Sequence, residues 1–287
     1  MKRGLTLALT VLGLLTVLIG CSPKEKLSVG VDTAKLKSTF ALASEDGKRL
    51  ILFCTEPGVK PESLTVAIGE NGRVLPVTFQ KHQKANDQDS GRQTADNFDN
   101  MDGDLYLITT EKAEPDETYY LADPTVFVPQ AILNARPWND RDNSLAPPAL
   151  DKKTLTQVEK AKGRKIDQSW ILSDLDTGMK AALILFKRQG DNMLASIAFI
   201  KQDKVMFYDM PASYKDVVEN DSAWRVDDGG EIGPGNFNIL FYAQGTKGLI
   251  MGIAWGAPEG EAAFIVQEDG ANLVETDIQA SRYWVPL

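Results

Sequence analysis

The sequence predicts an all-β protein with mainly antiparallel strands and one short helix. Three observations support this fold class. Short apolar runs recur along the chain, turn-forming residues separate them, and clear helical spacing is confined to one short stretch, 151–162. The composition, with 43% hydrophobic and 25% charged residues, is typical of a globular protein. The 287 residues are enough for one large or two ordinary domains.

Residues 39–123 are predicted to form the first domain. Its expected strands are short, and polar or turn-forming residues bound each of them: 40–43, 49–55, 63–68, 74–79 and 105–109. Asn71-Gly72 joins two of these runs and is a strong signal for a tight hairpin. Asp46-Gly47 predicts a second turn, between the first two strands.

The end of this domain, 114–121, reads EPDETYYL and leads from a Pro-Asp turn into an aromatic strand. It resembles the E–F corner of immunoglobulin-like and fibronectin type III sandwiches, in which a Tyr hydroxyl bonds back to the turn backbone. The resemblance implies an N-terminal β-sandwich, with Tyr119 or Tyr120 in that role. The Cys-Trp-Cys core of a true immunoglobulin domain is absent from the sequence.

Residues 81–104 are rich in Asn, Asp, Gln and Ser, and they predict a mobile loop inside the first domain. The acids of 96–104 suggest a calcium loop at first sight. When its glycine is aligned with the invariant glycine of an EF-hand, Phe98 and Thr109 stand where acidic ligands are required. A looser oxygen-ligand site stays open as an alternative, and no metal ligand is assigned.

Residues 124–165 are predicted to link two domains. The prolines at 129, 137, 147 and 148 deny regular structure to the first part of this stretch. A short helix follows over 151–162, with Asp151 or Thr154 as its N-cap and Gly163 as its end.

Residues 166–287 are predicted to form a second domain of antiparallel strands. Eight apolar runs alternate with turns: 170–172, 180–187, 193–200, 205–208, 237–242, 249–255, 262–267 and 273–278. Consecutive strands joined by short turns pair as neighbours. The sequence therefore predicts an antiparallel meander, which forms a strongly twisted sheet or closes into a barrel.

The first 21 residues carry a targeting signal. Lys2 and Arg3 precede an uncharged apolar run of 16 residues, and Cys21 follows it at once. This stretch resembles the signal peptide of a bacterial lipoprotein, with 18–21 as the lipobox. An uncleaved membrane helix and an ordinary signal peptide are the alternatives, although the run is shorter than the roughly 20 residues that span a bilayer.

The lipoprotein resemblance implies cleavage between Gly20 and Cys21 and a diacylglycerol on the Cys21 sulfur. The membrane is then a partner through this lipid, because two or three acyl chains hold a protein stably. Residues 21–38 are predicted to be a flexible tether. The resemblance implies export to the outer face of a bacterial membrane, and Ser22 favours the outer membrane if the cell is Gram-negative.

The chain is acidic, with a net charge of −9. Because residues 1–20 carry two basic side chains and no acid, the rest of the chain carries −11. Such a chain repels nucleic acid, so no nucleic-acid partner is predicted. The sequence has no phosphate loop and no dinucleotide fingerprint, and no cofactor is predicted.

No catalytic residue is assigned. Cys54 lies in an apolar run and His82, the only histidine, lies in a polar stretch, so a buried thiol is a simpler interpretation than a Cys–His pair. The sequence has no Gly-x-Ser-x-Gly elbow and no Ser-x-x-Lys motif. One histidine and one unmodified cysteine cannot supply the usual zinc ligands.

Two loops are candidate binding surfaces. The first, 224–235, places acids on a glycine-rich loop beside an aromatic side chain, as suits a cation or a sugar. Its candidate residues are Trp224, Arg225, Asp227, Asp228 and Glu231. A structural turn with a local ion pair is the alternative. The second loop, 136–142, contains Trp138, and its alternative is an interdomain segment that packs this Trp into a cleft.

These features favour binding or scaffolding in the bacterial envelope, with an envelope protein or a glycan as partner. Two alternatives stay open. A carboxylate-dependent hydrolase of envelope glycans would use Asp227, Asp228 or Glu231, and it needs two carboxylates facing each other across a cleft. A carrier of a small apolar ligand needs an apolar cavity of at least about 300 Å³ inside the second domain.

Overall fold

The computed structural model describes residues 30–138, 147–214, 224, 232–257 and 259–284. Within these ranges the all-β, mainly antiparallel fold class is confirmed, with fifteen strands and one α-helix. The first six strands are β1 (Phe40–Ala43), β2 (Arg49–Cys54), β3 (Val66–Gly69), β4 (Arg73–Gln83), β5 (Gly103–Ile108) and β6 (Thr118–Ala122).

Strands β1–β6 form a closed barrel in the order β1-β2-β5-β4-β3-β6, and the antiparallel pairing of β1 with β6 closes it. The predicted hairpin at Asn71-Gly72 is confirmed, because β3 pairs with β4 across it. Glu70 and Asn71 have φ angles of 47° and 63°, and Gly72 follows at 102°. This left-handed turn matches the twist of the two strands, and Asn and Gly tolerate it best.

Tyr119 connects the inside of the barrel to the turn before β6. Its side chain is buried with the apolar residues that fill the barrel. Its hydroxyl accepts a hydrogen bond from Glu114 N at 2.8 Å and donates to the carboxylate of Glu70. The bond from hydroxyl to turn backbone that the sequence assigns to Tyr119 or Tyr120 is therefore made by Tyr119. The wider resemblance to immunoglobulin-like sandwiches stays a prediction.

Of the loop 81–104 that was expected to be mobile, residues 81–83 belong to β4, residues 103–104 belong to β5, and the polar segment 84–102 is packed against the outside of the barrel. Phe98 and Met101 are buried beside β1, β2 and β5. The buried Asn97 side chain donates to Asp89 Oδ1 at 2.8 Å and to Arg92 O at 2.6 Å. The prediction followed the polar composition of the loop, but two large apolar side chains and one buried amide are enough to hold it in place.

The remaining strands are β7 (Ala135–Pro137), β8 (Ile166–Leu175), β9 (Met179–Phe186), β10 (Asn192–Lys201), β11 (Lys204–Ser213), β12 (Phe237–Gly245), β13 (Gly248–Ala257), β14 (Gly260–Asp269) and β15 (Asn272–Tyr283). They form one nine-stranded sheet in the order β12-β13-β14-β15-β11-β10-β9-β8-β7. All eight strands predicted for 166–287 are present, most of them longer than expected. Two antiparallel meanders meet where β11 and β15 pair in parallel.

The nine-stranded sheet curls around an apolar core. Its concave face is filled by large side chains, among them Phe199, Tyr208, Trp255 and Phe264. Because alternate residues of a strand point to opposite faces, the strands also carry apolar side chains on the convex face. Two elements cover this face. The helix α1 (Lys152–Lys162) covers β9–β11, and the barrel covers β12–β15.

Helix α1 has the ends that the sequence predicts. Asp151 caps its start, because its Oδ1 accepts from Thr154 N at 3.0 Å. Gly163 ends it with a φ of 68°, a conformation that glycine adopts without strain. In the described ranges, no helix combines the length and the hydropathy needed to cross a bilayer.

The segment 132–137 joins the two edges of the curled sheet. Leu133 N donates to Tyr242 O of β12 at 2.8 Å, and the chain then continues into β7, which pairs with β8. The hydroxyl of Tyr242 also donates to Ser173 Oγ at 3.2 Å, from β12 to β8. The linker therefore completes the sheet rather than only connecting two domains.

The outer edge of β12 is covered by two further segments. The turn at Asn71 and Gly72 donates both of its amides to carbonyls of β12, each at 2.8 Å. Val31 pairs in parallel with the end of β12, and its amide donates to Gln244 O at 2.9 Å. A free strand edge invites pairing with other chains, and this one is covered by the protein itself.

The barrel and the sheet share an apolar core. Tyr120 of the barrel, Phe127 and Phe241 of β12 pack in sequence, with ring centroids 6.0 Å and 5.0 Å apart. Phe40 lies beside the same cluster, 5.4 Å from the ring of Tyr120. Because this junction is buried and aromatic, we expect the two bodies to unfold together.

Candidate functional site

The strap, defined as residues 31–39, lies along the junction of the barrel and the sheet. It is the described end of the segment predicted to be a flexible tether. Ser38 Oγ accepts from Gln279 N of β15 at 3.1 Å. Thr39 Oγ1 donates to Leu121 O of β6 at 2.6 Å. The strap is therefore attached to both bodies, and a cleft lies on each side of it.

The lysine cleft lies between the strap, the loop 58–64 and the segment 120–127, and it has a volume of about 420 Å³. This volume is within the range of sites that bind small molecules. Its floor is apolar and consists of Leu36, Leu64, Leu121, Ala122, Val126 and Phe127. Most of these side chains also belong to the cores of the two bodies, so the folding of the chain fixes the shape of the floor.

Three lysines surround this floor. Lys37 Nζ lies 3.0 Å from the carboxylate of Glu56, and Lys35 Nζ lies 3.8 Å from that of Asp32. Lys60 forms no ion pair with any residue that the structure describes. The two ion pairs are largely exposed, so they contribute little to stability and leave the ammonium groups accessible to a ligand.

The other polar groups of the cleft already have partners. The Tyr120 hydroxyl donates to Lys37 O at 3.0 Å, and burial raises the pKa of Tyr120 to about 12, so the phenol is neutral. Asp123 Oδ1 accepts from both the amide and the hydroxyl of Thr125, at 2.8 Å and 2.6 Å. Among the side chains of the cleft, the hydrogen-bond donors that remain for a ligand are the ammonium groups.

Glu56 stays ionised beside the strap. The amide of Ser38 donates to Glu56 Oε1 at 2.8 Å, and this bond, followed by the contact with Lys37, lowers the pKa of Glu56. Its carboxylate fixes the strap backbone where the two clefts meet.

The junction cleft lies on the other side of the strap, against β15, and has a volume of about 470 Å³. Its walls are more polar, and they combine the acids Glu56, Glu275 and Asp277 with Lys37 and Lys247. Glu275 Oε1 also accepts from the Tyr208 hydroxyl at 2.6 Å. The mixture of charges gives this cleft no clear preference for one ligand charge.

Trp224 is the one residue of the predicted binding loop that the structure describes before Ile232. It is 4% exposed and packs in the core of the curled sheet, where its Nε1 donates to Met210 O at 2.9 Å. Its ring therefore offers no face to a ligand at the surface. The other four candidates lie outside the described residues, and their role stays a prediction: Arg225, Asp227, Asp228 and Glu231.

Gly20 and Cys21, the predicted cleavage and lipidation residues, also lie outside the described residues. Trp138 of the second candidate loop is described, and 44% of its surface is exposed. Its amide donates to Leu172 O at 2.9 Å and extends the pairing of β7 with β8. The expectation that Trp138 packs between domains is therefore wrong, because backbone pairing at the sheet edge leaves the indole outside.

Cys54 and His82 have different surroundings. Cys54 Sγ lies 3.9 Å from Gln279 O, and burial, followed by the charge of Glu56, raises the pKa of the thiol. His82 Nδ1 lies 2.8 Å from Asp104 Oδ1. The thiol predicted to be buried is therefore half-buried, and its raised pKa disfavours the nucleophilic thiolate.

Three acids of 96–104 contact two different basic side chains. Asp99 pairs with Arg49 at 2.6 Å, while Asp102 and Asp104 lie on either side of His82. In the part of the chain that the structure describes, no group of three or more potential metal ligands comes together.

A buried charge cluster between the barrel and the sheet was not predicted. Arg282 Nε lies 3.1 Å from Glu261 Oε1, and Thr118 Oγ1 donates to the same oxygen at 2.5 Å. Glu117 is half-buried there and accepts from Asn238. Burial, followed by the charge of Glu261, raises the pKa of Glu117. The one sequence signal for this cluster is an acid, Glu261, directly before the apolar run 262–266.

The lysine cleft was not predicted either. Lys35 and Lys37 belong to a stretch that looks like a solvated tether, and Lys60 belongs to a loop between predicted strands. The three come together because the strap folds back along the closed barrel, which local patterns do not show.

Comparison of the chain with protein-family models, with curated proteins and with solved structures finds no match. No family's residue roles can be transferred to it, so its function has to be inferred from its own clefts and contacts.

Proposed function

We propose that this protein is exported, is anchored through lipid on Cys21 to the outer face of a bacterial membrane, and acts there in non-catalytic binding or scaffolding. The apolar run that ends at Cys21 supports the anchor. The strap supports the binding role, because it fixes both β bodies to the segment that leads from the anchor.

The strap also determines how far from the membrane the clefts would lie. Cys21 and Val31 are ten residues apart, a separation that an extended chain spans over at most about 35 Å. Both clefts adjoin the strap, so a lipid on Cys21 would keep them within a short distance of the bilayer. Ligands or partners in or near the membrane would therefore be within reach.

A carrier of a small apolar ligand is the second candidate, and the lysine cleft favours it. That cleft lies between the strap and the barrel, whereas the carrier hypothesis expected a cavity inside the second domain. The concave face of the second sheet is filled by aromatic and aliphatic side chains. The glycan hydrolase hypothesis depends on Asp227, Asp228 and Glu231, which lie outside the described residues.

Metabolic labelling with an alkyne-tagged fatty acid tests the anchor. The wild-type chain should carry the label and stay with the membrane fraction after a high-salt wash, because acyl chains and not surface charge hold it there. Cys21→Ala should lose the label. Cys54→Ala, the matched control at the other cysteine, should keep it. An unlabelled wild-type chain would refute the proposal.

A further inference from the structure

We infer that the lysine cleft binds a fatty carboxylate, with the carboxylate at Lys60 and the strap lysines and the alkyl tail on the apolar floor. This names a ligand class for the binding role proposed above, and it rests on that role.

The floor suits an alkyl chain. The apolar surface open to the cleft comes mainly from the half-buried Val59 and Val126, while Leu36 and Leu64 are 6% and 5% exposed and Phe127 is fully buried. A tail that covers this floor removes apolar surface from water on both partners. Each additional methylene that is covered should strengthen binding by about fourfold.

The hydroxyl groups of the cleft are already used as donors. Ser63 Oγ donates to Lys60 O at 2.9 Å, and Thr39 and Tyr120 donate to backbone carbonyls of the barrel and the strap. A neutral alcohol or a cationic head group would find few free partners. An acceptor with negative charge would find three ammonium groups.

The single unpaired charge of Lys60 favours a carboxylate over a phosphate as the head group of the ligand. Lys35 and Lys37 already have acidic neighbours, whereas Lys60 forms no ion pair within the described ranges. One uncompensated positive charge matches a monoanionic head group better than a doubly charged phosphate monoester. The loop position of Lys60 is fixed, because Ser63 N donates to Lys60 O at 2.9 Å.

The cleft also differs from the rest of the molecule in charge. The whole chain carries −9, yet three lysines and one acid line this site among the residues described. The acid, Asp123, is occupied by Thr125. Because Asp32 and Glu56 offset the charges of Lys35 and Lys37, the attraction for an anion comes mainly from Lys60, which forms no ion pair in the described ranges.

The test uses the full acylated chain in nanodiscs of zwitterionic phosphatidylcholine, with empty discs as the blank. Decanoate, decyl phosphate, 1-decanol and decyltrimethylammonium are titrated at pH 8 by calorimetry. We expect saturable one-to-one binding of decanoate, with decyl phosphate and the two non-anionic ligands each at least about fivefold weaker. Octanoate should bind more weakly than decanoate.

Two charge reversals complete the test. Lys60→Glu should weaken decanoate binding at least about fivefold, because it replaces the unpaired cation by an anion. Lys153→Glu, the same change at an exposed position of α1, should leave the affinity unchanged. If both variants unfold at the same temperature as the wild type, their fold is intact. If Lys60→Glu does not fold, Lys60→Gln takes its place in the test.

Several outcomes would overturn the inference. They are the absence of saturable decanoate binding, equal affinity for 1-decanol, tighter binding of decyl phosphate, and equal effects of the two reversals. Lysine-dependent attachment to phosphatidylglycerol discs without decanoate binding would mean that the lysines contact the bilayer surface instead. Because fatty-acid labelling at Cys21 is measured separately, a failure here is distinguishable from a failure of the anchor.

Discussion

Arg282 and Glu261 form an ion pair that is buried between the barrel and the sheet, with Nε 3.1 Å from Oε1 and both side chains less than a tenth exposed. Arg282 also lies 3.3 Å from a carboxylate oxygen of Asp116 in the barrel, and its guanidinium lies over the ring of Trp284. The pair thus connects β14 and β15 to the turn before β6.

Removing the cation of this pair should destabilise the whole molecule. We expect Arg282→Met to lower the free energy of unfolding by about 3–5 kcal/mol, because the carboxylate of Glu261 stays buried without a partner. Urea denaturation measures the change. The control is Lys165→Met, which removes an exposed partner of Glu159 and should cost less than about 1 kcal/mol. Equal losses would show that the buried pair is not special.

The raised pKa of Glu117 predicts a dependence of stability on pH. Glu117 is half-buried near Glu261 and Asp116, with Arg282 as the nearby cation. The folded state binds the Glu117 proton more tightly than the unfolded state, so this residue lowers stability as pH rises above the ordinary value of 4.5.

Glu117→Gln tests this prediction, because glutamine keeps an acceptor for Asn238 and cannot ionise. Its stability relative to the wild type should increase from pH 4 to pH 8 as the wild-type carboxylate ionises. Chemical denaturation at several pH values measures the difference. A difference that stays constant over this range would contradict the raised pKa of Glu117.

The β3–β4 turn should be sensitive to a single methyl group. Gly72 has a φ of +102°, and a Cβ at this position would lie 2.7 Å from Ile132 Cγ2. Gly178 has a φ of +73°, and a Cβ there would meet no atom within 4 Å, so this glycine separates backbone strain from collision.

We expect Gly178→Ala to cost about 1–2 kcal/mol through backbone strain alone. Gly72→Ala should cost at least about 1 kcal/mol more, because it also pushes the turn away from the β12 carbonyls that its amides bond. Thermal unfolding of the two variants gives the comparison. Similar losses would mean that docking of the turn on β12 contributes little.

Local patterns predicted most of the secondary structure. Asn71-Gly72 determined a hairpin, Asp151 and Gly163 determined the ends of α1, and alternating apolar runs located the strands of the second sheet. These signals act over a few residues, so they can be interpreted without knowledge of the tertiary fold. The packing of 84–102 was missed because it depends on Phe98 finding a place on a distant barrel surface.

The candidate site could not be predicted in the same way. Lys37 and Lys60 reach one cleft only because the strap turns back along β6, which sequence spacing does not determine. Arg282 meets Glu261 across the predicted pairing of β14 with β15, but β15 continues past its predicted end at 278 and a bulge shifts the register, so spacing alone does not show this contact. Trp224 shows the converse case: its loop has the composition of a binding surface, but its own side chain is in the core.

The role of Trp224 can be tested against Trp138, the tryptophan of the second candidate loop. Trp224→Ala should lower the free energy of unfolding by about 3–5 kcal/mol, because it leaves a cavity in the core of the curled sheet. Trp224→Phe should lose about 1–2 kcal/mol, since a ring remains while the bond to Met210 O is lost. Trp138→Ala, at a side chain 44% exposed, should lose less than about 1 kcal/mol. If Trp224→Ala is as stable as the wild type, Trp224 does not pack in the core, and it stays a candidate surface residue of the binding loop.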